Sequence, residues 1–294
     1  MHDIVFVGHI CHDRIVPFGG AEHFQTGSAV LCGAMAAART GRSIAAVMKM
    51  APGDDGILAP MRESGVECHI VPAAVTTRME VIHPTADVDV RQMFQRASAG
   101  FFLAGELPPL ATRHLHLAGI TDQEFTLDFI RACKNGHYTI STDMQSFVRQ
   151  VDPATKEIFF RDVPAKKQIV ELMDKLKLDI VEARLLTGTD DLQEAAVMIE
   201  GWGCPEVVIT QGAGVLARAR GRTFYEKFSN SNSTGRTGRG DTTFAGYLSW
   251  RQDHDVAESL KFAAALVSIK MEKPGPFTGT VQDVLQRVRE KHSA

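Results

Sequence analysis

Ser233–Trp250 reads STGRTGRGDTTFAGYLSW. Gly235, Gly238 and Gly240 fall within six residues, and a helix is expected to open at Asp241 or Thr242. Phe244, Tyr247 and Leu248 then recur at helical spacing, so one face of that helix is apolar. A glycine-rich loop that runs into a helix leaves several backbone N–H groups unpaired, and the helix dipole favours negative charge beside them. The Asp241 carboxylate stands at the mouth of this nest, where it could take the proton of a hydroxyl attacking phosphorus. The plainer reading of an aspartate here is a helix N-cap. The loop is neither a Walker A loop, since no Gly-Lys-Ser/Thr follows, nor a G-x-G-x-x-G fingerprint.

Around this segment, strands and helices alternate. Ile4–Gly8 reads as a buried strand, 27–41 (GSAVLCGAMAAARTG) as an alanine-rich helix, Ser43–Met50 as a strand, and Val66–Val71 as another. Further on, His114–Leu117, Tyr138–Thr142, Leu178–Val181 and Val207–Thr210 read as strands. Asp122–Asn135, Val163–Lys175, Asp190–Trp202, Thr242–Arg251, Val256–Lys270 and Thr280–Lys291 read as helices, and Gly214–Phe228 as a meander. The alternation predicts a mainly parallel sheet covered on both faces. Two stretches, 13–24 and 76–95, lack a helix between strands and are expected to form a small β lid, with surface loops as the alternative. No repeat or linker divides the chain, so one domain over 1–294 is expected.

The chain has 294 residues, 44% of them hydrophobic, and a formal net charge of -3, which suits a globular α/β enzyme and offers no basic footprint for nucleic acid or membrane lipid. Five cysteines form no C-x-x-C pair and no zinc spacing, so reduced, buried thiols and a cytoplasmic location are expected. His9, His12 and His23 lie toward the expected substrate end and are given no role.

Two more segments carry chemistry. In 179–188 (DIVEARLLTG), Asp179 and Glu182 stand three apart where a strand meets a helix, and could hold Mg²⁺ directly or through its waters. The alternative is an ordinary acidic helix start. Thr210, Gly212 and Gly214 follow a strand and could admit a phosphate chain close to the backbone, or simply make a hairpin turn.

In order and spacing these segments resemble the ribokinase-like (PfkB) family of carbohydrate kinases, from Val5 to about Gly275. Thr237-Gly238-Arg239-Gly240-Asp241-Thr242 is similar to the family's T-G-A-G-D-T signature, Asp179-x-x-Glu182 to its N-x-x-E segment, and Thr210-x-Gly212-x-Gly214 to its nucleotide turn. Gly8 with Asp13, Gly27-Ser28 and Gly53-Asp54-Asp55-Gly56 resemble its N-terminal motifs. The helix ending at Lys270, followed by Pro274-Gly275-Pro276, resembles the wall of its adenine pocket. Asp143-Met144-Gln145-Ser146-Phe147-Val148-Arg149 is similar to a D-x-Q-G-F-x-R stretch in the branch that includes myo-inositol kinase. Its Asp143, Gln145 and Arg149 could bind hydroxyls or phosphate, or close a helix cap.

The resemblance implies a Rossmann-like three-layer α/β/α sandwich (ribokinase-like) with a β lid, acting as an ATP-dependent kinase on a small sugar, cyclitol or nucleoside. It implies Asp241 as base and Gly238, Arg239 and Gly240 as the anion hole. Thr210, Gly212, Gly214 and Thr237 would seat ATP, Glu182 and Asp179 would serve Mg²⁺ through water, and Asp13, Gly27, Ser28, Cys32, Asp143, Gln145 and Arg149 would face the substrate. Lid strands of this family can pair between subunits, which leaves a homodimer open. Arg239 replaces the usual alanine, Gly235 stands near a usual aspartate, Asp179 replaces asparagine, Ser28 replaces glycine, and Cys32 falls near the substrate asparagine. The second glycine of the nucleotide turn comes one place early. These departures bear on the substrate more than on the reaction. The other readings are a catalytically silent nucleotide- or sugar-binding module of the same fold and, more remotely, a dehydrogenase.

Overall fold

A computed structural model describes residues 1–87 and 90–292. The chain begins with β1 (His2–His9), passes through β2 (Cys11–Val16) and β3 (His23–Gly27), and enters α1 (Ala29–Ala38). Next come β4 (Ile44–Met50), a 3-10 segment (Pro52–Leu58), α2 (Ala59–Glu63) and β5 (Glu67–Pro72). β6 (Thr77–Ile82) and β7 (Gln92–Ala97) precede β8 (Thr112–Leu117), α3 (Leu127–Lys134) and β9 (Thr139–Asp143). Then follow α4 (Gln145–Val148), β10 (Arg149–Val151), β11 (Ile158–Phe160), α5 (Lys166–Glu171) and β12 (Lys175–Asp179). The chain continues through α6 (Ile180–Thr187), α7 (Leu192–Gly201), β13 (Glu206–Thr210), β14 (Gly214–Ala219) and β15 (Arg222–Lys227). It closes with α8 (Arg239–Trp250), α9 (Val256–Met271) and α10 (Val281–Lys291).

Nine strands form the central sheet in the order β15-β14-β13-β12-β9-β8-β1-β4-β5. It is parallel from β5 to β13, and only the β13–β14–β15 meander is antiparallel. Alternate residues of β1 feed opposite cores. Ile4 and Phe6 join α1, α8 and α9, while Val5 and Val7 join α3, α5, α6 and α7. This is the expected three-layer sandwich, with the carboxyl ends of β1, β9, β12 and β13 along one edge. Among the described residues, no helix is long and apolar enough to cross a membrane.

The lid is a second sheet of four strands, β3-β2-β6-β7, formed by the two stretches that lacked helices; residues 88 and 89 of the second stretch lie outside the described residues. Its base is tied to the sandwich through His9. The His9 main-chain N donates to Glu124 Oε2 at 2.7 Å, and its ring meets Thr77 Oγ1 at 2.8 Å and the Gly100 carbonyl at 2.9 Å. One element was not anticipated. β10 and β11 form a hairpin whose Val151 and Ile158 join Cys11, Met79 and Met93 in a small core under the lid. Three-residue strands are too short for alternation to reveal them.

Several expected boundaries move. Gly27 ends a lid strand, and the following helix starts at Ala29, because the Ser28 side chain accepts the Leu31 N–H and caps it. The helix expected over 163–175 is confined to Lys166–Glu171, and β12 begins at Lys175 and ends at Asp179, so Ile180 and Val181 are helical. The helix of the signature begins at Arg239, not at Asp241 or Thr242. Gly238, at φ 78°, makes the left-handed turn that starts it early.

Close approach of β1 to its neighbours requires Gly8. A Cβ there would sit 2.4 Å from the Ala118 carbonyl oxygen and 2.8 Å from Val30 Cγ2. Gly8→Ala is therefore expected to cost about 1–3 kcal/mol, read as a lower urea midpoint. An unchanged midpoint would mean that the strand end has room to spare.

Candidate active site

β12 ends where α6 begins, and both acidic residues of that junction serve the helix start. Asp179 Oδ1 accepts the Glu182 N–H at 2.8 Å, and Glu182 Oε2 accepts the Asp179 N–H at 2.7 Å, a reciprocal capping box. Glu182 is fully buried, and its Oε1 has no hydrogen-bond partner among the described residues. Two cations flank it. Lys177 Nζ is 3.9 Å from Oε2, and an Arg149 guanidinium nitrogen is 4.0 Å from Oε1. Burial pushes the Glu182 carboxyl up to about 8 against the pull of Lys177.

Lys177 lies at the centre of the cluster and was missed in the sequence. It sits on β12 beside β9, pairing with Asp143 across the strands, and its Nζ donates to Asp143 Oδ2 at 2.7 Å. Both residues are buried, at 3% and 2% exposure, and a charge so placed needs a partner. Burial alone would strip the proton from Lys177, but the carboxylates of Asp143, Glu182, Asp179 and Asp241 outweigh it and raise its pKa. Its ammonium also abuts the signature loop, since a Cβ on Gly240 would lie 2.7 Å from Nζ. In 175–179 (KLKLD) charged residues alternate with leucines, so Lys177 reads as a solvent-facing residue, which is why periodicity gave no signal.

The loop itself turns on Gly238 and opens α8. Thr242 N is bonded to the Gly238 carbonyl at 3.0 Å, and Arg239 N to the Arg236 carbonyl at 3.1 Å. The Arg239 amide is thus engaged within the loop, and those of Gly240 and Asp241 lie in the first turn, where an α-helix leaves N–H groups without intrahelical partners. Asp241 is half-buried, and its Oδ1 accepts a bond from Gln145 Nε2 at 3.3 Å. Gln145 Nε2 also donates to the Gly119 carbonyl at 2.9 Å, and the Gln145 N–H donates to Asp143 Oδ1 at 3.1 Å. Asp143 thus accepts the first N–H of α4, whose N-cap, Met144, makes no side-chain cap bond, and the stretch delivers Gln145 to Asp241 and Arg149 to the side of Glu182.

The lid side of the site converges on the same place. Asp13 lies on β2, and a Cβ on Gly27 would overlap its Oδ2 at 1.8 Å, so the glycine makes room for the carboxylate. Burial raises Asp13 to about 7, with a side-chain bond from Gln25 pulling the other way. Cys32, on the first turn of α1, bridges toward the signature: its Sγ would be 2.6 Å from a Cβ on Gly238. Burial, then the Asp241 charge, pushes its thiol up to about 12, so it faces the site as a neutral group. The Ser28 hydroxyl oxygen accepts the Leu31 N–H at 2.9 Å and serves α1.

The nucleotide turn is divided. Thr210 is buried and its hydroxyl turns to the Leu178 carbonyl at 3.4 Å, while Gly214 is needed for packing, since a Cβ there would lie 2.3 Å from the Glu226 carbonyl oxygen. Gly212 and Thr237 are exposed, and Gly212 has open space around it. For magnesium, no group of three or more His, Cys, Asp or Glu able to hold a metal occurs among the described residues. The unmatched Oε1 of Glu182 is the buried acceptor that could meet a water of a hydrated ion.

With this geometry in place, similarity to known proteins is informative. The profile of the pfkB family carbohydrate kinases matches residues 1–282. A cytidine kinase of Thermococcus kodakarensis is 26% identical over 228 residues, 74% of this chain and 76% of its own. A pyrophosphate-dependent kinase in the ribokinase family, solved with a pyrophosphate analog and myo-inositol, is 28% identical, with a TM-score of 0.88 over 96% of this chain and 99% of that one. Arabidopsis thaliana ribokinase, solved with ribose and ATP, shares the fold at 16% identity and a TM-score of 0.77, over 98% of this chain and 99% of its own. The glycine loop opening α8, with its aspartate in the first helical turn, thus sits in a chain that belongs to the pfkB family of carbohydrate kinases.

Proposed function

We propose that the protein transfers a phosphoryl group from ATP to a hydroxyl of a small polyol (a sugar, cyclitol or nucleoside), with Asp241 as general base. The observation that carries this reading is the Asp241 carboxylate, half-exposed and steadied by Gln145 at 3.3 Å, in the same helical turn as the amides of Gly240 and Asp241. Asp241 takes the hydroxyl proton as the oxygen attacks phosphorus, and those amides with the Lys177 ammonium offset the charge on the transferring group. Asp13 and Cys32 line the acceptor side, and Asp13 is suited to accept hydroxyl donors. Arg149 stands beside Glu182, where it could grip a donor phosphate. Glu182 is the residue that would hold Mg²⁺ through a water, and the ion would supply charge neutralisation to the phosphates.

A second reading of the donor is pyrophosphate. A buried lysine beside Gly240 favours a compact polyanion, two residues of the nucleotide turn face inward, and the kinase matched at 28% identity over 96% of this chain is described as pyrophosphate-dependent. Turnover measured with ATP and with pyrophosphate, each against myo-inositol, cytidine and ribose, decides donor and acceptor together. Activity with neither donor on any polyol would leave the binding-module reading.

Asp241→Asn is expected to lower kcat by about 10²–10⁴-fold, with donor affinity retained in calorimetry. Wild-type turnover in that variant removes Asp241 from the mechanism. Lys177→Met leaves Asp143 buried without its partner, and should cost about 3–5 kcal/mol of stability along with most of the activity. Adding Asp143→Asn to Lys177→Met should recover part of the stability in urea melts but not the turnover. Asp13 rises from 3.8 to about 7 on folding, so the native state binds the extra proton between those values and loses stability as pH rises through them. Asp13→Asn should therefore melt higher than wild type above pH ~7, lose that advantage in acid, and show a raised acceptor KM. A variant that melts lower than wild type at alkaline pH would contradict a buried, charge-destabilised Asp13.

A further inference from the structure

The signature loop is held from beneath by a second buried lysine. Lys270, in the last turn of α9, is 3% exposed, and its Nζ donates to the main-chain carbonyls of Gly235 and Thr237. No carboxylate lies within salt-bridge distance of it among the described residues. Its partners are instead two main-chain carbonyl oxygens of the loop. The Gly235 N–H donates to the Met271 carbonyl at 2.8 Å, and a Cβ on Gly235 would meet the carbonyl oxygens of Lys273 at 1.8 Å and Lys270 at 2.7 Å. The segment just before the anion hole is therefore pressed onto the C-terminal end of α9, where the last carbonyls of a helix carry partial negative charge. Two loop carbonyls directed at one buried point repel each other unless a cation sits between them.

We infer that Lys270 is a built-in cation that positions the anion hole: its ammonium clamps the carbonyls of Gly235 and Thr237 and so fixes where Gly238, Gly240 and Asp241 fall. The charge is tethered, so the loop is set without a free ion. Nζ has three N–H donors, and two of them reach these carbonyls. Burial draws the Lys270 pKa below the usual lysine value, and the charge of Asp241 pulls the other way, which ties the clamp to the reacting end of the loop. Lys270 touches no reacting atom in this arrangement; it is a positioning residue. The inference rests on the kinase reading for its catalytic consequence but not for its structural one.

The test compares wild type with Lys270→Met and Lys270→Gln in choline chloride, potassium chloride and ammonium chloride at equal ionic strength. Melting temperature is read without substrate, and kcat and KM are read with the donor and acceptor that turn over best. Wild type is expected to melt and turn over alike in all three salts. The variants should lose at least about tenfold in kcat in choline, the scale of a misplaced charge-stabilising group, with acceptor KM within about threefold. Potassium or ammonium, free ions able to enter a carbonyl-lined hole, should raise both their melting temperature and their kcat by mass action. The idea is overturned if wild type itself is activated several-fold by either ion, if folded variants keep wild-type kcat in choline, or if neither ion restores either readout. Should wild type phosphorylate no polyol, the kinase reading fails by itself, and the salt dependence of the melting temperatures still decides the clamp. If Lys270→Met does not fold in any salt, Lys270→Gln, which keeps a donor without the charge, carries the comparison.

Discussion

Lys177 and Asp143 meet at 2.7 Å across neighbouring strands, each almost sealed from water. A lone lysine in that position would lose its proton, and a lone aspartate would gain one. Paired, they keep the lysine protonated at the carboxyl edge of the sheet, and the glycine loop is laid against its ammonium. A side chain at Gly240 would displace that ammonium, since a Cβ there would lie 2.7 Å from it. The α6 cap, Glu182 and Arg149 gather around the same charge, and a polyanion entering the site meets a surface already neutralised from behind.

Backbone proximity is the second theme. Gly27 yields to Asp13, Gly238 to Cys32, Gly240 to Lys177 and Gly235 to the end of α9. Each absent side chain admits a specific neighbour, and the last three bring α1, β12 and α9 onto one loop. A cavity of about 440 Å³ next to α9 and α10 is lined by Lys270, Lys273, Phe277 and Arg287 among others.

Much of the architecture was legible because it is written in local pattern. The alternation of strands with helices announces the parallel sheet, and the helix-free stretches announce the lid. The site was legible where a motif is contiguous, as in Gly238–Asp241 and Asp143–Arg149. It was illegible where the residue stands alone. Lys177 alternates with leucines like a solvent-facing strand residue and Lys270 closes an apolar helix run, and only the pairing of β9 with β12, or the fold-back of the signature loop onto α9, gives them partners. The early start of α8 was hidden because Arg239 looked like loop, whereas Gly238 at φ 78° starts the helix before it. Asp179 and Glu182 were read correctly as a strand-to-helix pair, but sequence does not tell that each would cap the other.

The β10–β11 hairpin joins two parts that would otherwise be independent. Its first residue is Arg149, beside Glu182, and its far turn is bonded to the lid, where Gln95 N meets the Lys156 carbonyl at 2.9 Å and Phe94 bridges Glu157. On the other side, Asp122 holds it through bonds to the Arg149 carbonyl and the Val151 N–H. One hydrogen-bonded hairpin, anchored at Asp122, thus joins the lid to the flank of Glu182, so the position of the Arg149 guanidinium and that of β7 are set by the same piece of chain.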